Sequence, residues 1–208
     1  MKNQKPIEKL VAEGYDSIGR SYDRFRENFD TSVFLTDFLN SLSNAAEGQI
    51  LDVGCGTGIP VLAYLVSQGY SAVGIDISDT MLSEAKINVP DATIKKQNML
   101  ELDFTDGYFD GLICLHSIIH VPRDQHGSVL RSFNRVLNDE GCLLICTGSE
   151  PYEAVHPFLD TSLFFSYPSP QNSLKLVESS NFKILYDTLV NMKGEEFYWI
   201  LARKNGAL

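Results

Sequence analysis

Hydrophobic residues follow two different patterns along this chain, and the change between them divides it into a helical part and an alternating part. In residues 5–43 apolar side chains recur at spacings of three and four, which predicts helices. From residue 49 onward, short apolar runs alternate with amphipathic stretches. The predicted strands are 49–53, 70–77, 92–97, 111–115 and 141–147, and the predicted helices between them are 59–67, 78–88 and 125–137. Strands that alternate with helices indicate parallel strands joined by right-handed crossovers.

The last part of the chain breaks this alternation. A helix is predicted at 171–180, followed by strands at 182–190 and 195–204. The four residues between these strands are few enough for a hairpin link. The predicted fold is therefore an α/β fold whose mostly parallel sheet ends in an antiparallel pair. A single domain accounts for the 208 residues.

Charge and cysteine content limit the partners and the compartment. The formal net charge is −10, and an acidic chain is a poor candidate for binding a phosphate backbone, so no nucleic-acid partner is expected. No apolar run reaches about 18 residues and none follows the N-terminus, so neither a membrane span nor a secretory signal is expected. The four cysteines, at 55, 114, 142 and 146, have no CxxC spacing. They predict buried reduced thiols, no metal site and a cytoplasmic location.

The most informative segment is residues 50–60, which predicts a buried strand, a glycine turn and the start of a helix. The turn contains Gly54, Cys55, Gly56 and Gly58. Three glycines leave it without side chains, so that a ligand can lie against its backbone N–H groups. Asp52 precedes the first glycine by two residues, and its carboxylate would repel a pyrophosphate but suits a ligand with positive charge. This combination favours the amino-acid end of S-adenosylmethionine (SAM) over a dinucleotide.

Polar residues also lie at the ends of the next two predicted strands. Asp76 lies about 20 residues beyond the glycines, where a carboxylate can accept hydrogen bonds from ribose hydroxyls, although it would also suit a helix N-terminus. Ile77 would then cover one face of the adenine, unless it belongs to the core. Asn98 could accept a hydrogen bond from the adenine amino group, and the Met99 N–H could donate to a ring nitrogen. Asparagine is equally a common turn residue.

These segments resemble the motifs of the class I SAM-dependent methyltransferases, of the small soluble type that acts mostly on small molecules. Asp52–Gly58 looks like the first motif of the family, and Val73–Ser78 is similar to its acidic ribose motif. The resemblance continues through Asn98–Asp110 and Arg135–Leu144, and it covers about residues 15 to 204. The family usually has aspartate at the position of Asn98, which keeps an acceptor oxygen there but not the charge.

The resemblance implies a three-layer Rossmann-like sandwich with a seven-stranded, mostly parallel sheet of order 3-2-1-4-5-7-6 and a C-terminal antiparallel hairpin. Within one methyltransferase domain, 1–208, the implied parts are an N-terminal helical cap at 1–45, a SAM-binding core at 46–148, a substrate lid at 149–170, and a C-terminal helix and hairpin at 171–208. The opening helix would fold over bound SAM and bring Tyr22 and Tyr15 to its methionine end, although both also suit helix packing. Met81 is assigned to the same cofactor site.

The implied reaction moves the methyl group of SAM to a small-molecule acceptor by in-line displacement and leaves S-adenosylhomocysteine (SAH). The methyl group is already activated, so alignment is the main task, and a general base is needed only if the acceptor must lose a proton. His120 and His116, which follow the fourth strand, are the candidate catalytic residues. Leu115 and His116 should border the methionine moiety. A histidine near a helix start is also often structural.

Two other functions remain open. A nicotinamide-dependent dehydrogenase would need glycine at the position of Ile59 to complete its GxGxxG pattern. A non-catalytic SAM-binding protein would keep the same motifs. The sequence predicts neither the acceptor nor its reacting atom, and both a monomer and a homodimer are compatible with it.

Overall fold

The computed structural model describes residues 5–27, 29–43 and 48–206. The predicted boundary between cap and core, at residues 45 and 46, lies outside the described residues, as do both chain ends. The helices are α1 (Ile7–Ile18), α2 (Ser21–Arg26), α3 (Ser32–Ser41), α4 (Val61–Ser67), α5 (Asp79–Asn88), α6 (His126–Val136) and α7 (Pro170–Ser179). The strands are β1 (Gln49–Val53), β2 (Ser71–Asp76), β3 (Thr93–Lys96), β4 (Phe109–Leu115), β5 (Leu137–Gly148), β6 (Tyr152–Phe158), β7 (Thr161–Tyr167), β8 (Phe182–Met192) and β9 (Glu195–Lys204).

Seven of these strands form one sheet in the order β3-β2-β1-β4-β5-β9-β8. The first five strands are parallel, and β9 pairs antiparallel with both β5 and β8. Because β6 and β7 form a separate sheet, β8 and β9 are the sixth and seventh strands of the main one. The predicted order 3-2-1-4-5-7-6 is therefore confirmed, as is the antiparallel pair at its end.

The sheet is covered on both faces, which makes the fold a three-layer sandwich. Successive residues of a strand point to opposite faces, so Ile50 and Leu51 of β1 enter different hydrophobic clusters, and both are fully buried. One cluster includes residues of α3, α4 and α5, and the other includes residues of α6 and α7. The continuous apolar run of β4 has the same cause, since a central parallel strand is buried on both sides.

The segment between β5 and α7, the substrate lid of the sequence analysis, contains two strands that the sequence pattern does not predict. It forms a β-hairpin, β6–β7, that is a separate two-stranded sheet. Its first strand is mostly exposed and contains Pro157, so it lacks the apolar alternation that predicts a strand. Its second strand buries Leu163 and Phe164. Gly14 of α1 lies against Leu163, since a Cβ at Gly14 would be 2.4 Å from the Leu163 Cδ2.

Candidate active site

The glycine turn is fixed by hydrogen bonds to the end of β2. The N–H groups of Gly54 and Cys55 both donate to the Ile75 carbonyl oxygen, at 2.8 and 3.0 Å. Gly54 has a φ of +75°, and a Cβ there would be 2.3 Å from the Ser117 Cβ, so only glycine fits. Gly56 also has a positive φ, but a Cβ there would meet nothing within 4 Å. The turn is thus closed toward β4 and open at Gly56.

Asp76 connects this turn to the next helix. Its Oδ2 accepts the Gly56 N–H at 3.0 Å, and its Oδ1 accepts the Ser78 N–H at 2.9 Å. Burial raises the pKa of Asp76, and the hydrogen bonds from Ser78 and Gly56 act in the opposite direction. Each carboxylate oxygen keeps a further lone pair, so the group can accept two hydroxyl donors, as a ribose presents them.

A cavity of about 380 Å³ lies at the carboxyl ends of β1, β2 and β4. Eleven of the fifteen residues that the sequence assigned to the site line it. They are Tyr15, Tyr22, Gly54, Gly56, Asp76, Ile77, Asn98, Met99, Leu115, His116 and His120. The volume lies within the range of about 300–1,000 Å³ that is usual for small-molecule sites.

The other four assigned residues do not line the cavity. Asp52, on β1, is 2% exposed between its register partners in β2 and β4. The Cys55 side chain packs toward β2, where a Cβ at Gly74 would be 2.9 Å from its Sγ. Gly58 allows the end of α5 to approach, since a Cβ added at Gly58 would be 3.1 Å from the side chain of Val89, which follows that helix. Met81 is 1% exposed within α5. These positions support the wall of the cavity from behind.

Twelve further lining residues were not singled out from the sequence. They are Ile7, Glu8, Val11, Val53, Ile75, Gln97, Leu100, Glu101, Ser117, Val121, Pro122 and Gln125. Two of them could have been found, because Ile7 and Val11 precede Tyr15 at intervals of four and share its helix face. Ser117 has no such pattern. It enters the site because its hydroxyl donates to the Val53 carbonyl oxygen at 2.6 Å.

Asn98 acts as a turn residue and lines the cavity as well. Its Oδ1 accepts the Leu100 N–H at 3.0 Å, which is the hydrogen bond of an Asx turn. The two interpretations of Asn98 from the sequence are therefore compatible. Its side-chain oxygen retains one lone pair for a ligand.

The N-terminal helices cover the cavity and are held there by two acidic residues. The Asp16 Oδ1 accepts the Ser78 hydroxyl at 2.6 Å and the Thr80 N–H at 3.0 Å. The Thr57 hydroxyl of the glycine turn donates to the Asp23 carboxylate at 2.6 Å. Burial opposes ionisation of Asp16, but the hydrogen bonds from Ser78 and Thr80 outweigh it and lower the pKa. Tyr15 and Tyr22 reach the cavity from this cover.

His120 has a defined tautomer. Its Nδ1 lies 2.7 Å from the Phe164 carbonyl oxygen, which can only accept, so Nδ1 carries the proton. Burial lowers the pKa of His120 to about 4, and the ring is therefore neutral at pH 7. The Nε2 lone pair then accepts the Tyr15 hydroxyl at 2.7 Å. A neutral imidazole at the cavity can take a proton from a group that displaces the Tyr15 hydroxyl from this lone pair.

His116 ends β4 in a backbone conformation that is uncommon for a non-glycine residue, with a φ of +54°. It is buried, and its Nε2 has no hydrogen-bond partner among the described residues. Its Nδ1 lies 3.8 Å from the Cys146 sulfur, and the Phe197 ring packs edge-on at 4.6 Å. Burial, and then the charge of Arg26, lowers the pKa of His116 well below its usual value.

In the described part of the chain, no group of three or more His, Cys, Asp or Glu side chains is arranged to hold a metal ion. No helix within residues 5–27, 29–43 and 48–206 has the length and apolar character that crossing a membrane requires.

Comparison with known proteins agrees with this geometry. A family model described as a methyltransferase domain matches residues 50–141, which run from β1 into β5. The 27-O-demethylrifamycin SV methyltransferase of Amycolatopsis mediterranei (strain S699) is 28% identical over 162 residues, which cover 68% of this chain. The putative methyltransferase YqeM of Bacillus subtilis (strain 168) is 36% identical over 103 residues, which cover 47% of this chain. The chain spans 59% and 41% of the lengths of these two relatives.

The fold has solved counterparts. Magnesium protoporphyrin IX methyltransferase from Synechocystis PCC 6803, solved with bound SAM, superposes with a TM-score of 0.73 at 17% identity. The superposition covers 99% of this chain and 100% of that chain. The sheet order, the glycine turn and the acidic residue at the end of β2 thus define a Rossmann-like methyltransferase fold. Together with the family model and the methyltransferase relatives, they support a class I SAM-dependent methyltransferase.

Proposed function

We propose that this protein binds SAM in the cavity and transfers its methyl group to a small-molecule acceptor by in-line displacement. The observation that carries the proposal is the Asp76 carboxylate, which the N–H groups of Gly56 and Ser78 hold at the cavity wall. A carboxylate fixed in this way is suited to bind both hydroxyls of a ribose. When bound, SAM supplies an activated methyl group, so the protein has to bind both substrates, align the methyl group with the acceptor and exclude water.

The residues present fit SAM better than a dinucleotide. The open backbone at Gly56 leaves room for a ligand against the turn. Burial raises the pKa of the Asp52 carboxyl, two residues before that turn; the sulfonium and ammonium groups of SAM would favour its charged form, whereas a pyrophosphate would oppose it. Ile59 is an additional argument against a dehydrogenase, because it replaces a glycine of the dinucleotide pattern.

Individual roles follow from position around the cavity. We assign Asp76 to the ribose, and Ile77, Asn98 and Met99 to the adenine. The methionine end is assigned to the lining residues nearest the glycine turn and the end of β4, which are Tyr15, Tyr22, Gly54, Gly56, Leu115 and His116. Asp52, Cys55, Gly58 and Met81 are assigned to the shape of the wall rather than to direct contact.

His120 is proposed as the general base. The Phe164 carbonyl oxygen holds the proton on Nδ1, and burial keeps Nε2 unprotonated at neutral pH. An acceptor O–H or N–H that takes the place of the Tyr15 hydroxyl donates to the same lone pair. The acceptor proton then goes to His120 as the methyl group is transferred. This base is an argument for an enzyme over a non-catalytic SAM-binding protein.

The proposal also covers the compartment, the substrate lid and the oligomeric state of the enzyme. All four cysteines are free and buried, which supports a reducing, cytoplasmic compartment. The hairpin β6–β7 is proposed as the substrate lid of residues 149–170, because it carries the Phe164 carbonyl oxygen that orients His120. We propose a monomer or a homodimer, with no nucleic-acid partner.

The experiment is a screen of metabolite pools for transfer of labelled methyl from SAM. The wild-type protein should label at least one small molecule, and His120→Asn should slow turnover at saturating SAM by about 10²–10⁴-fold. His156→Asn, which replaces an exposed histidine of β6, is the matched control and should leave turnover unchanged. Undiminished turnover in His120→Asn would remove it as the base, and the absence of any labelled product would reject the enzyme.

A further inference from the structure

Two segments that are distant in the chain meet at two points beside His120. The first point is the hydrogen bond from the His120 Nδ1 to the Phe164 carbonyl oxygen of β7, at 2.7 Å. The second point is the hydrogen bond from the Arg123 N–H to the Ser166 hydroxyl, at 2.9 Å. Because a strand rises about 3.3 Å per residue, the two points are roughly 7 Å apart along β7. The position of the Phe164 carbonyl oxygen therefore depends on a contact close to it.

Glu153 of β6 completes the second point. It is the register partner of Ser166 in the hairpin, and its Oε2 accepts the Ser166 hydroxyl at 2.6 Å. The Arg123 N–H lies 3.3 Å from the same oxygen, and the Arg123 Nε lies 3.4 Å from it. Arg123, Glu153 and Ser166 thus form a clasp that joins both strands of the hairpin to the loop after His120.

The hydroxyl at the centre of the clasp is fully used. Ser166 is buried, and its hydroxyl accepts the Arg123 N–H and donates to Glu153. The hydrogen bonds from Ser166 and then from Arg123 lower the pKa of Glu153, so that this carboxylate is charged at neutral pH. Hydrogen bonds to a charged group are stronger than those between neutral groups. Without the Ser166 hydroxyl, the Arg123 N–H would keep only its longer contact with Glu153.

Only one of the two partners of His120 decides which ring nitrogen carries the proton. The Tyr15 hydroxyl, 2.7 Å from Nε2, can donate or accept and therefore suits either tautomer. The Phe164 carbonyl oxygen can only accept and therefore requires the proton on Nδ1. In the other tautomer Nε2 would already carry a proton and could take none from an acceptor. The use of His120 as a base thus depends on where the hairpin places one carbonyl oxygen.

We propose that Glu153 and Ser166 are positioning residues, which clasp the hairpin to the loop after His120 and thereby hold His120 in the tautomer that a general base needs. The proposal rests on the function proposed above, since it concerns the base of the same site. Neither Glu153 nor Ser166 lines the cavity, and both act through the Phe164 carbonyl oxygen.

The test is a ¹⁵N magnetic resonance measurement at pH 7 on protein with labelled histidine, with and without SAH. Couplings from the ring protons show which nitrogen of each imidazole is protonated, and the signals lost in His120→Asn are those of His120. The wild-type protein should show the Nδ1–H form. Ser166→Ala should raise the ratio of Nε2–H to Nδ1–H by about two- to tenfold, the range for loss of one hydrogen bond. Glu153→Ala should shift the ratio in the same direction, and this side chain is 34% exposed, so its removal spares the core.

Two control variants separate the clasp from other effects. Glu153→Gln keeps an oxygen that accepts from Ser166 and should keep the wild-type tautomer. Ser162→Ala makes the same replacement as Ser166→Ala earlier on β7 and should keep it as well.

Three outcomes would overturn the proposal. The first is an Nε2–H form of His120 in the wild-type protein. The second is an unchanged tautomer in Ser166→Ala or in Glu153→Ala. The third is a Glu153→Gln variant that behaves like Glu153→Ala, because the charge of Glu153 and not the clasp would then set the tautomer. Undiminished methyl transfer in His120→Asn would instead refute the proposed base and leave the clasp in place.

Discussion

Replacement of Asp52 by asparagine should make the ligand-free protein more stable at neutral pH. The Asp52 Oδ2 has no hydrogen-bond partner within the described residues. Burial, and then the charge of Asp76, raises the pKa of Asp52 well above its usual value. The folded chain therefore keeps a proton on this carboxyl at pH values where the unfolded chain has lost it. The stability that this proton contributes is complete below the unfolded pKa of about 3.9 and is lost as the pH rises toward the folded value.

The scale of the effect is set by linkage: each unit by which the folded pKa exceeds the unfolded pKa corresponds to about 1.4 kcal/mol, and asparagine cannot ionise. Asp52→Asn should therefore change the free energy of unfolding little at pH 4 and raise it increasingly as the pH goes from 4 to 7. The assay is urea unfolding of both proteins, without ligand, at several pH values between 4 and 8.

The informative quantity is the difference in the free energy of unfolding between the two proteins at each pH. The buried histidines also make stability depend on pH, but they are present in both proteins and cancel in that difference. Asp160→Asn is the control for the replacement itself, because it makes the same change at an exposed turn. A stability difference for Asp52→Asn that does not vary with pH, or a variant less stable than wild type at pH 7, would refute the electrostatic reasoning.

Three further predictions concern the turn, the base and the cover. Gly54→Ala should lower the free energy of unfolding, measured with urea, by about 2–4 kcal/mol, because it combines a strained φ with a clash against Ser117. Adding Ser117→Gly to the same chain should recover only the part of this loss that is due to the clash. Because the pKa of His120 is about 4, kcat/KM for methyl transfer should stay constant from pH 8 down to about pH 5, and an inflection near 6.5 would contradict the assignment. Asp16→Ala should lower the free energy of unfolding by about 1 kcal/mol and speed proteolysis within α1, because two hydrogen bonds to α5 are lost. An unchanged cleavage rate would show that Asp16 does not hold the N-terminal helices over the cavity.

Much of the fold could be predicted because local patterns and the global arrangement agree. The predicted bounds of β1, 49–53, are those observed, because an apolar run ends there at a glycine turn. Asp76 and Asn98 were found because Asp76 ends one strand, Asn98 follows another, and the ends of parallel strands meet at one edge. The hairpin β6–β7 was missed, because an exposed strand with a proline lacks the period of two.

The contacts that the sequence could not predict are those between distant segments. His120 is oriented by the Phe164 carbonyl oxygen, 44 positions away, and by the Tyr15 hydroxyl, 105 positions away. Neither partner is encoded by a local pattern.

The most direct measurement of the central claim is calorimetric titration of the ligand-free protein with SAH and with NAD. We predict micromolar-range binding of SAH and no binding of NAD. Asp76→Ala should weaken SAH by about 1.5–3 kcal/mol, the range for a hydrogen bond to a charged group. Asp79→Ala, which removes an exposed carboxylate three residues further on, should leave SAH affinity unchanged. Tight NAD binding without SAH binding, or an undiminished SAH affinity in Asp76→Ala, would contradict the account.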